Sequence, residues 1–237
     1  MSEPSHIPVL NLILLGNGKM GQAIAALAPQ RGFTVRLALD EISNRDYQGI
    51  TASNFKGVDV CVDFTTPASA AENIRRVADL GCNMVVGTTG WYDRLEEARE
   101  TVRKTGIGLV YGANFSVGVQ LFYRAARALA ETFARYPGYQ PYITESHHQF
   151  KKDVPSGTAL ELKRKIASAL SPRDPPVWSI RAGFIPGTHE LGFDSETDTV
   201  ILRHEARSRQ GFAEGALYAA RWVAGKKGLF DFAEILE

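Results

Sequence analysis

The densest group of ionisable side chains in the sequence lies between positions 145 and 159, in the run ESHHQFKKDVPSGTA. His147 and His148 are adjacent, and Lys151 follows three residues later. Imidazole titrates near neutral pH and can exchange protons, while an ammonium group can hold an anion. This part of the run is typical of a site for acid–base chemistry on a small charged substrate.

The end of the same run has the pattern of a helix N-terminus. Ser156 is a suitable N-cap, and the backbone N–H groups of Gly157 and Thr158 would then lie in the first helical turn. Such N–H groups, together with the positive end of the helix dipole, bind anions. The pattern predicts that this segment grips a carboxylate of the substrate.

Other interpretations of the run are structural. Adjacent histidines on a regular strand point to opposite faces, and a His-His-x-x-Lys run is also common in solvated loops. Glu145 and Asp153 are expected to form ion pairs with nearby lysines rather than to act as acids. A metal site is not expected, because this segment cannot supply three ligands at tetrahedral spacing and the rest of the sequence has no partner cluster.

A second candidate site lies near the start of the chain. The apolar stretch Leu12–Leu15 runs into the pattern G-x-G-x-x-G at Gly16–Gly21, and a helix-forming segment follows. In dinucleotide-binding folds these glycines form a tight turn, let the backbone approach a pyrophosphate and allow close packing of helix on strand. Asp40 follows the last glycine by 19 residues, close to the roughly 20 expected for a ribose contact. The alternative is a tight turn with an acid on the surface.

Three further loops follow predicted strands, at Asp63–Pro67, Gly87–Gly90 and Gly112–Ser116. Open α/β sheets bind ligands beyond the carboxyl ends of their strands. The small hydroxyl and glycine residues in these loops, with an amide and an aromatic ring in the third, suit the nicotinamide end of a dinucleotide. Isolated helix caps have a similar composition.

The elements that must position these residues follow from the hydrophobic pattern. In the first half, apolar runs alternate with helix-like stretches, which indicates a parallel sheet covered by helices. The five strands predicted there are Val9–Leu15, Thr34–Leu39, Val58–Phe64, Asn83–Gly87 and Gly108–Gly112. After a long amphipathic helix from Val117 to Tyr136, the pattern predicts a strand at Tyr142–His148 and a helix at Gly157–Leu170. Three strand-like runs then follow with no long helix between them, which indicates a mixed or antiparallel sheet, and they are Val177–Gly183, His189–Asp194 and Thr199–Ala206.

These patterns predict an α/β protein with two domains. Residues 1–116 with 209–237 would form a Rossmann-like, parallel-sheet dinucleotide-binding domain, to which a final helix at Phe212–Ala224 returns. Residues 117–208 would form a smaller α+β domain with a mixed sheet, for substrate binding and oligomerisation.

Composition argues against several other classes of protein. The 27 basic and 26 acidic residues leave a net charge of +1, too small to steer the protein onto nucleic acid or anionic lipid. No apolar run near the start reaches the roughly 20 residues of a membrane span, and no basic segment marks a signal peptide. The spacing of Cys61 and Cys82 predicts buried, reduced thiols and therefore a cytoplasmic protein.

The run at 145–159 resembles the signature E-x-H-H-x-x-K-x-D-x-P-S-G-T-A of the dihydrodipicolinate reductases of bacterial lysine biosynthesis, and it matches every fixed position. These enzymes are also called 4-hydroxy-tetrahydrodipicolinate reductases. Shorter motifs extend the resemblance along the chain, namely GKMG at 18–21, DFT at 63–65, GTTG at 87–90, ANFSVGV at 113–119, RAG at 181–183, GTHE at 187–190 and GLFD at 228–231.

The resemblance implies reduction of 4-hydroxy-tetrahydrodipicolinate to tetrahydrodipicolinate with hydride from NAD(P)H, in a homotetrameric enzyme of two domains. It implies that His147 is the acid–base residue and Lys151 a proton donor, whereas His148, Ser156, Gly157 and Thr158 bind the substrate. The residues implied to hold the cofactor are Gly16, Asn17, Gly18, Lys19, Met20, Gly21, Asp40, Gly87, Thr88, Thr89, Gly112, Ala113, Asn114 and Phe115.

Two departures from the family pattern concern the cofactor. The family's glycine loop commonly reads G-x-x-G-x-M-G, but here Leu15 replaces its first glycine or the loop is one residue shorter. Many members carry a basic residue after the acid that ends the second strand, whereas Glu41 follows Asp40 here. NADH is therefore expected to be preferred, or to be used alongside NADPH. Alternative functions are a nicotinamide-nucleotide-binding redox sensor and another amino-acid-related dehydrogenase.

Overall fold

The computed structural model describes residues 8–236, so positions 1–7 and 237 of the predicted first domain lie outside it. The chain divides into two compact units. Unit 1 comprises the residues up to Ser116 together with those from Arg209 onward, and unit 2 comprises Val117–Ser208. The binding roles expected for the two units stay predictions at this point.

The strands of unit 1 are β1 Leu10–Leu15, β2 Phe33–Leu39, β3 Val60–Asp63, β4 Asn83–Val86, β5 Gly108–Tyr111 and β10 Gly228–Asp231. Its helices are α1 Lys19–Leu27, α2 Pro67–Asp79, α3 Leu95–Thr105 and α6 Gln210–Val223. Unit 2 contains strands β6 Gln140–His147, β7 Val177–Arg181, β8 Thr188–Asp194 and β9 Thr199–Glu205, with helices α4 Val117–Phe133 and α5 Gly157–Leu170.

The sheet of unit 1 is parallel throughout, with the strand order β10-β5-β4-β3-β1-β2. One face packs on α2 and α3, whose residues Ile74 and Val102 share a buried cluster with Ile13 and Met84. Residues such as Leu12 alternate to the other face and are equally buried, as strands covered by helices on both sides require. Helices α1 and α6 pack against each other, and α6 packs on the central strands.

The sixth strand, β10, is absent from the sequence prediction. It follows α6 and pairs with β5, with Leu229 opposite Leu109. The strand has only four residues, all partly exposed, and two lysines precede it. Such a short segment at the edge of a sheet lacks the continuous apolar run that marked the buried strands.

Unit 2 contains a four-stranded mixed sheet in the order β7-β6-β8-β9, in which only the β6–β7 pair is parallel. Helices α4 and α5 cover one face, where Ile143 and Leu191 pack with Leu162 and Ile166. Side chains alternate along a strand, so Glu145 lies on the same face as Ile143, at the end of β6. Glu145 is therefore buried next to this core, and His147 is the last residue of the strand.

The opposite face of this sheet bears large exposed apolar side chains. Trp178 on β7 is 64% exposed, and Ile180 and Ile201 are each more than half exposed. Within residues 8–236 no helix combines the length and the apolar character needed to cross a bilayer. The predicted fold class, a Rossmann-like parallel sheet followed by a smaller mixed sheet, is confirmed.

Candidate active site

Strand β6 ends with two of the candidate residues on one face. Glu145 is completely buried, and His147, two residues later, retains 12% of its side-chain exposure. The adjacent His148 follows the end of the strand and is half-buried. Its Nδ1 is buried and makes no hydrogen bond within the described part of the chain. His147 and His148 therefore have different environments, because β6 ends between them and the expected alternation along a strand does not apply to His148.

The carboxylate of Glu145 forms a two-pronged ion pair with Arg181 at the end of β7. Nη2 of the arginine lies 2.6 Å from Oε1, and Nη1 lies 2.9 Å from Oε2. Burial raises the pKa of Glu145, but hydrogen bonds from Arg181 and His147 outweigh burial and lower it to about 2. The carboxylate is therefore ionised at neutral pH. The sequence prediction that Glu145 would pair with a lysine is wrong.

His147 is held on two sides. Its Nδ1 lies 2.5 Å from Oε2 of Glu145, and its ring centroid is 5.1 Å from that of His189 on β8. Burial lowers the pKa of His147, Glu145 raises it, and the positive charges of Lys151 and Arg181 lower it further. The effect of burial is the largest, so the pKa of His147 is lowered overall. The imidazole is therefore mainly neutral at neutral pH and binds an added proton weakly.

His189 is a site residue that the residue-by-residue reasoning missed. It is 4% exposed, and its Nε2 lies 2.9 Å from Oγ of Ser156. Burial lowers its pKa to about 4, and the neighbouring charge of His147 adds to this effect. The only signal in the sequence was the GTHE motif, because nothing in its spacing shows that His189 lies opposite Glu145 across the β6–β8 pair.

Glu145, His147 and His189 offer ligand atoms that all lie within 4.8 Å of one another. The sequence argument that the chain supplies no partner for such a set is therefore wrong. Both oxygens of Glu145 are already bonded to the guanidinium of Arg181, however, and a cation would have to displace that positive group. The donor set fits an ion pair better than a metal ion, and we assign no metal here.

Lys151 and the start of α5 converge on one carboxylate. Nζ of Lys151 lies 2.8 Å from Oδ1 of Asp153. The side chain of Lys151 is 24% exposed. The ion pair with Lys151 does most to lower the pKa of Asp153, and the nearby backbone N–H of Gly157 contributes least. The ion pair expected of Asp153 is confirmed. The groups predicted to grip a substrate carboxylate are thus close enough to bind one together.

Ser156 caps α5 as its position predicted. Its Oγ accepts a hydrogen bond from the N–H of Ala159, and its own N–H donates to Oε1 of Glu145. Gly157 is exposed, and no atom lies within 4 Å of the point where a Cβ would stand. Thr158 is half-buried, and its carbonyl accepts a hydrogen bond from the hydroxyl of Tyr123.

The glycine loop of unit 1 has the geometry of a dinucleotide cradle. Gly16 has φ of +94°, and a Cβ there would lie 2.2 Å from the carbonyl oxygen of Phe64. A Cβ on Gly21 would lie 2.0 Å from the carbonyl oxygen of Gly16. Gly18 has an ordinary φ of −78° and nothing within 4 Å, so the protein itself does not require glycine there. The space in front of Gly18, at the start of α1, fits a pyrophosphate.

Asp40 lies fully exposed at the end of β2. Its Oδ1 accepts hydrogen bonds from the N–H groups of Ile42 and Ser43 and from the hydroxyl of Ser43. These bonds lower the pKa of Asp40, the backbone bond from Ser43 most. Oδ2 takes no part in this turn and is the oxygen that can meet a ribose hydroxyl. Glu41 and Lys19 are also exposed.

A buried aspartate that was not among the predicted site residues connects the loops after β3 and β4. Asp63 accepts hydrogen bonds from the N–H and hydroxyl of Thr65, from the hydroxyl of Thr88 and from the amide of Asn73. Burial raises its pKa, and these bonds oppose that effect. The hydroxyl of Thr88 is engaged in holding the loops together.

Other predicted cofactor residues are packing positions. A Cβ on Gly87 would lie 2.2 Å from the ring of Phe64, and one on Gly112 would lie 2.9 Å from Cβ of Phe232. Phe115 is buried, and its ring lies 4.5 Å from that of Phe232. Besides Asp40, the exposed positions among the predicted set are Asn17, Gly18, Lys19, Thr89 and Ala113, and Met20 and Asn114 are half-buried. All of them lie beyond the carboxyl ends of the parallel strands.

Comparison with known proteins assigns the chain to a family. Residues 10–115 match the family model described as dihydrodipicolinate reductase, N-terminus, and residues 118–236 match the one described as dihydrodipicolinate reductase, C-terminus. The 4-hydroxy-tetrahydrodipicolinate reductase of Christiangramia forsetii is 35% identical over 239 residues, which cover 96% of this chain and 98% of that one. The enzyme of the same name from Neisseria gonorrhoeae is 34% identical and covers 97% of this chain and 98% of its own.

A solved structure agrees with these matches at the level of the fold. The dipicolinate-bound dihydrodipicolinate reductase from Paenisporosarcina sp. TG-14 aligns with a TM-score of 0.82 at 22% identity, over 96% of this chain and 99% of that one. The predicted family, and with it a reductase of lysine biosynthesis, are confirmed. The chain belongs to the dihydrodipicolinate reductase family of NAD(P)H-dependent oxidoreductases.

Proposed function

We propose that the protein reduces 4-hydroxy-tetrahydrodipicolinate, a cyclic imine with two carboxylates, to tetrahydrodipicolinate. The substrate loses its hydroxyl as water and gains a hydride at C4 and a proton, so that one NAD(P)H is oxidised for each molecule reduced. The bound nicotinamide cofactor supplies the hydride. Unit 1 would hold the cofactor, and unit 2 would hold the substrate.

The observation that carries this proposal is the position of Asp153. Lys151 forms an ion pair with its carboxylate, and the backbone N–H of Gly157 at the start of α5 is near enough to lower its pKa, so these two groups can share one anion. A substrate carboxylate would take the place of Asp153 there, and Thr158 and His148 would complete the binding site. The relative from Paenisporosarcina is described as bound to dipicolinate, which is also a ring with two carboxylates.

We assign the proton chemistry to His147 and Lys151. Hydride addition to the conjugated imine develops negative charge on the ring nitrogen, and a positioned acid lowers the barrier by offering a proton there. His147 lies at the end of β6, next to the start of α5, and Lys151 lies in the loop between them. Lys151 would also hold the anionic substrate through a charge-assisted hydrogen bond.

For the cofactor we propose a preference for NADH, or use of both nucleotides. Residues Gly16 to Gly21 would hold the pyrophosphate at the N-terminus of α1, and Asp40 would bind the adenosine ribose. The adjacent carboxylates of Asp40 and Glu41 would repel a 2′-phosphate, and Lys19 would offset part of that repulsion. The loops at 87–89 and 112–115 would lie at the nicotinamide end.

We further propose that the chain assembles as a homotetramer through the open face of the sheet in unit 2. Exposed side chains of Trp178, Ile180 and Ile201 form an apolar surface there, and surfaces of this kind mark protein interfaces. Cys61 and Cys82 are free and buried, which supports the expected cytoplasmic location.

The test is a coupled assay in which dihydrodipicolinate synthase generates the substrate and the loss of NADH absorbance reports its reduction. Formation of tetrahydrodipicolinate, identified by mass, would support the proposal. Binding of NADH without turnover would favour a redox sensor, and turnover only with 2-oxo acids and ammonia would favour an amino-acid dehydrogenase. Either of these results would overturn the proposed reaction.

A further inference from the structure

We propose that Glu145 is a positioning residue that fixes the tautomer and orientation of His147. It also connects this histidine to the N-terminus of α5, where the substrate carboxylate would bind. This inference rests on the proposed function for the role of His147, but its geometry is independent of the substrate. The sequence pattern assigned Glu145 only an ion-pair role.

The carboxylate of Glu145 is the point at which three elements meet. Oε1 accepts from Nη2 of Arg181 on β7 at 2.6 Å and from the N–H of Ser156 at 3.2 Å. Oε2 accepts from Nη1 of Arg181 at 2.9 Å and lies 2.5 Å from Nδ1 of His147. Arg181 also donates to the carbonyl of Asp153, in the loop that carries Lys151. The buried side chain of Glu145 thus links β6, β7 and α5, and Arg181 extends the link to this loop.

The protonation state of Glu145 determines which nitrogen of His147 carries the proton. Its pKa is about 2, so the carboxylate is ionised and can only accept hydrogen bonds. At 2.5 Å, Nδ1 of His147 must therefore be the N–H nitrogen, whether the ring is neutral or charged. Nε2 is left as the nitrogen that gains and loses the catalytic proton.

The same contacts fix the ring in space. The Nε2–Cδ2 edge of His147 lies against Gly187, where a Cβ would stand 3.0 Å from Nε2. The ring of His189 lies edge-on, with centroids 5.1 Å apart and an interplanar angle of 70°. Glu145 contacts Nδ1 at the opposite edge of the ring. Gly187 and Glu145 therefore restrain movement of the imidazole within its plane, and His189 restrains its tilting out of that plane.

The charges around His147 give this role a measurable pH signature. Besides Glu145 on its own strand, the ring experiences Arg181 from β7, His189 from β8 and Lys151 from the loop. Among these only Glu145 raises the pKa of His147. If His147 acts as an acid, activity falls as pH rises through its pKa. Replacing Glu145 by a neutral residue lowers that pKa and moves the falling limb of kcat/KM to lower pH.

The experiment compares Glu145→Gln and Glu145→Asp with the parent protein. We expect Glu145→Gln to lower kcat at least about tenfold, and by no more than the roughly 10²–10⁴-fold that a general acid contributes, with an unchanged KM for NADH. The falling limb of its kcat/KM profile should move to lower pH. Glu145→Asp should recover part of kcat and return the falling limb to the parent's pH. Glu161→Gln is the matched control, because Glu161 also forms a two-pronged pair with an arginine, Arg164, on the surface of unit 2.

Nitrogen-15 NMR of the histidine side chains provides a readout that needs no turnover. In the parent protein, the His147 signal, identified by its loss in His147→Gln, should show Nδ1 protonated at every pH. In Glu145→Gln it should show a mixture of tautomers.

An unprotonated Nδ1 in the neutral ring of the parent protein would overturn the inference, even if Glu145→Gln did not fold. It would also be overturned if Glu145→Gln kept the parent's pH limb and tautomer, or if Glu161→Gln lost as much activity. Failure of the parent protein to reduce the substrate would contradict the proposed function instead, and the NMR result would still decide the role of Glu145.

Discussion

Gly187 gives a direct test of the geometry around His147, because a single methyl group there would reach the reacting edge of the imidazole. A Cβ added to Gly187 would stand 3.0 Å from Nε2 and 3.3 Å from Cδ2 of His147. Ordinary contacts between non-bonded heavy atoms are about 3.5–4.0 Å, so the ring would have to move by roughly half an ångström. No positive φ restricts alanine at this position, and the backbone itself can accept the change.

The ring cannot absorb this displacement freely. Nδ1 is opposite the Nε2–Cδ2 edge, and it already lies 2.5 Å from Glu145. Movement within the ring plane would compress that hydrogen bond, and tilting out of the plane would turn Nε2 away from its present direction. Misplacement of a catalytic group by about 1 Å can cost on the order of 10²-fold in rate. We therefore expect Gly187→Ala to lower kcat by about 10- to 100-fold.

The assay is steady-state reduction of the substrate by the purified variant, with circular dichroism and thermal unfolding to establish that it folds. Gly138→Ala is the control, because nothing lies within 4 Å of its Cβ position and its φ is not positive. This control should keep kcat within about twofold. A folded Gly187→Ala protein with the parent's kcat would refute the placement of His147 against Gly187.

Four further outcomes are expected. Lys151→Ala should lower kcat and raise the substrate KM, whereas His148→Gln should mainly raise KM; steady-state kinetics on both variants separates the two effects. Asp153→Asn should lower the substrate KM several-fold, because it removes the carboxylate that now occupies Lys151, and an unchanged or raised KM would count against a substrate anion site at Lys151. For the parent protein, kcat/KM with NADPH should not exceed that with NADH by more than about tenfold, a difference of roughly 1.4 kcal/mol, and a larger ratio would contradict the role given to Asp40.

The parallel sheet could be predicted from sequence because its central strands are buried on both faces. Runs such as Leu12–Leu15 are apolar throughout, and the glycines at 16 and 21 mark positions where no side chain fits. Strand β10 could not be predicted in the same way, since its four residues are partly exposed and its stability comes from pairing with β5.

The candidate site was only partly predictable, because sequence spacing describes neighbours along the chain and not across strands. His147, Lys151 and the cap at Ser156 lie within one short run, and their types indicated acid–base chemistry and anion binding. The arginine partner of Glu145 is distant in sequence, because Arg181 is 36 residues away. His189 lies opposite Glu145 only through the register of β6 and β8. No periodicity in the sequence indicates which strands pair.

The buried Asp63 was missed for a related reason. The DFT motif suggested a loop at the cofactor edge, but a single aspartate after a strand does not show that Thr88 and Asn73 will both bond to it. Burial of the carboxylate with its donors is a property of the tertiary structure. Its role is to hold two loops in place, which sequence reasoning could not separate from a ribose contact.

The most direct test of the central claim is the ratio of kcat between the parent protein and His147→Gln, measured with enzymatically generated 4-hydroxy-tetrahydrodipicolinate and saturating NADH. Because general acid catalysis contributes about 10²–10⁴-fold, we predict a decrease in kcat of that size with little change in the KM for NADH. A correctly folded His147→Gln protein that reduces the substrate at close to the parent's kcat would contradict the assignment of the chemistry to this cluster.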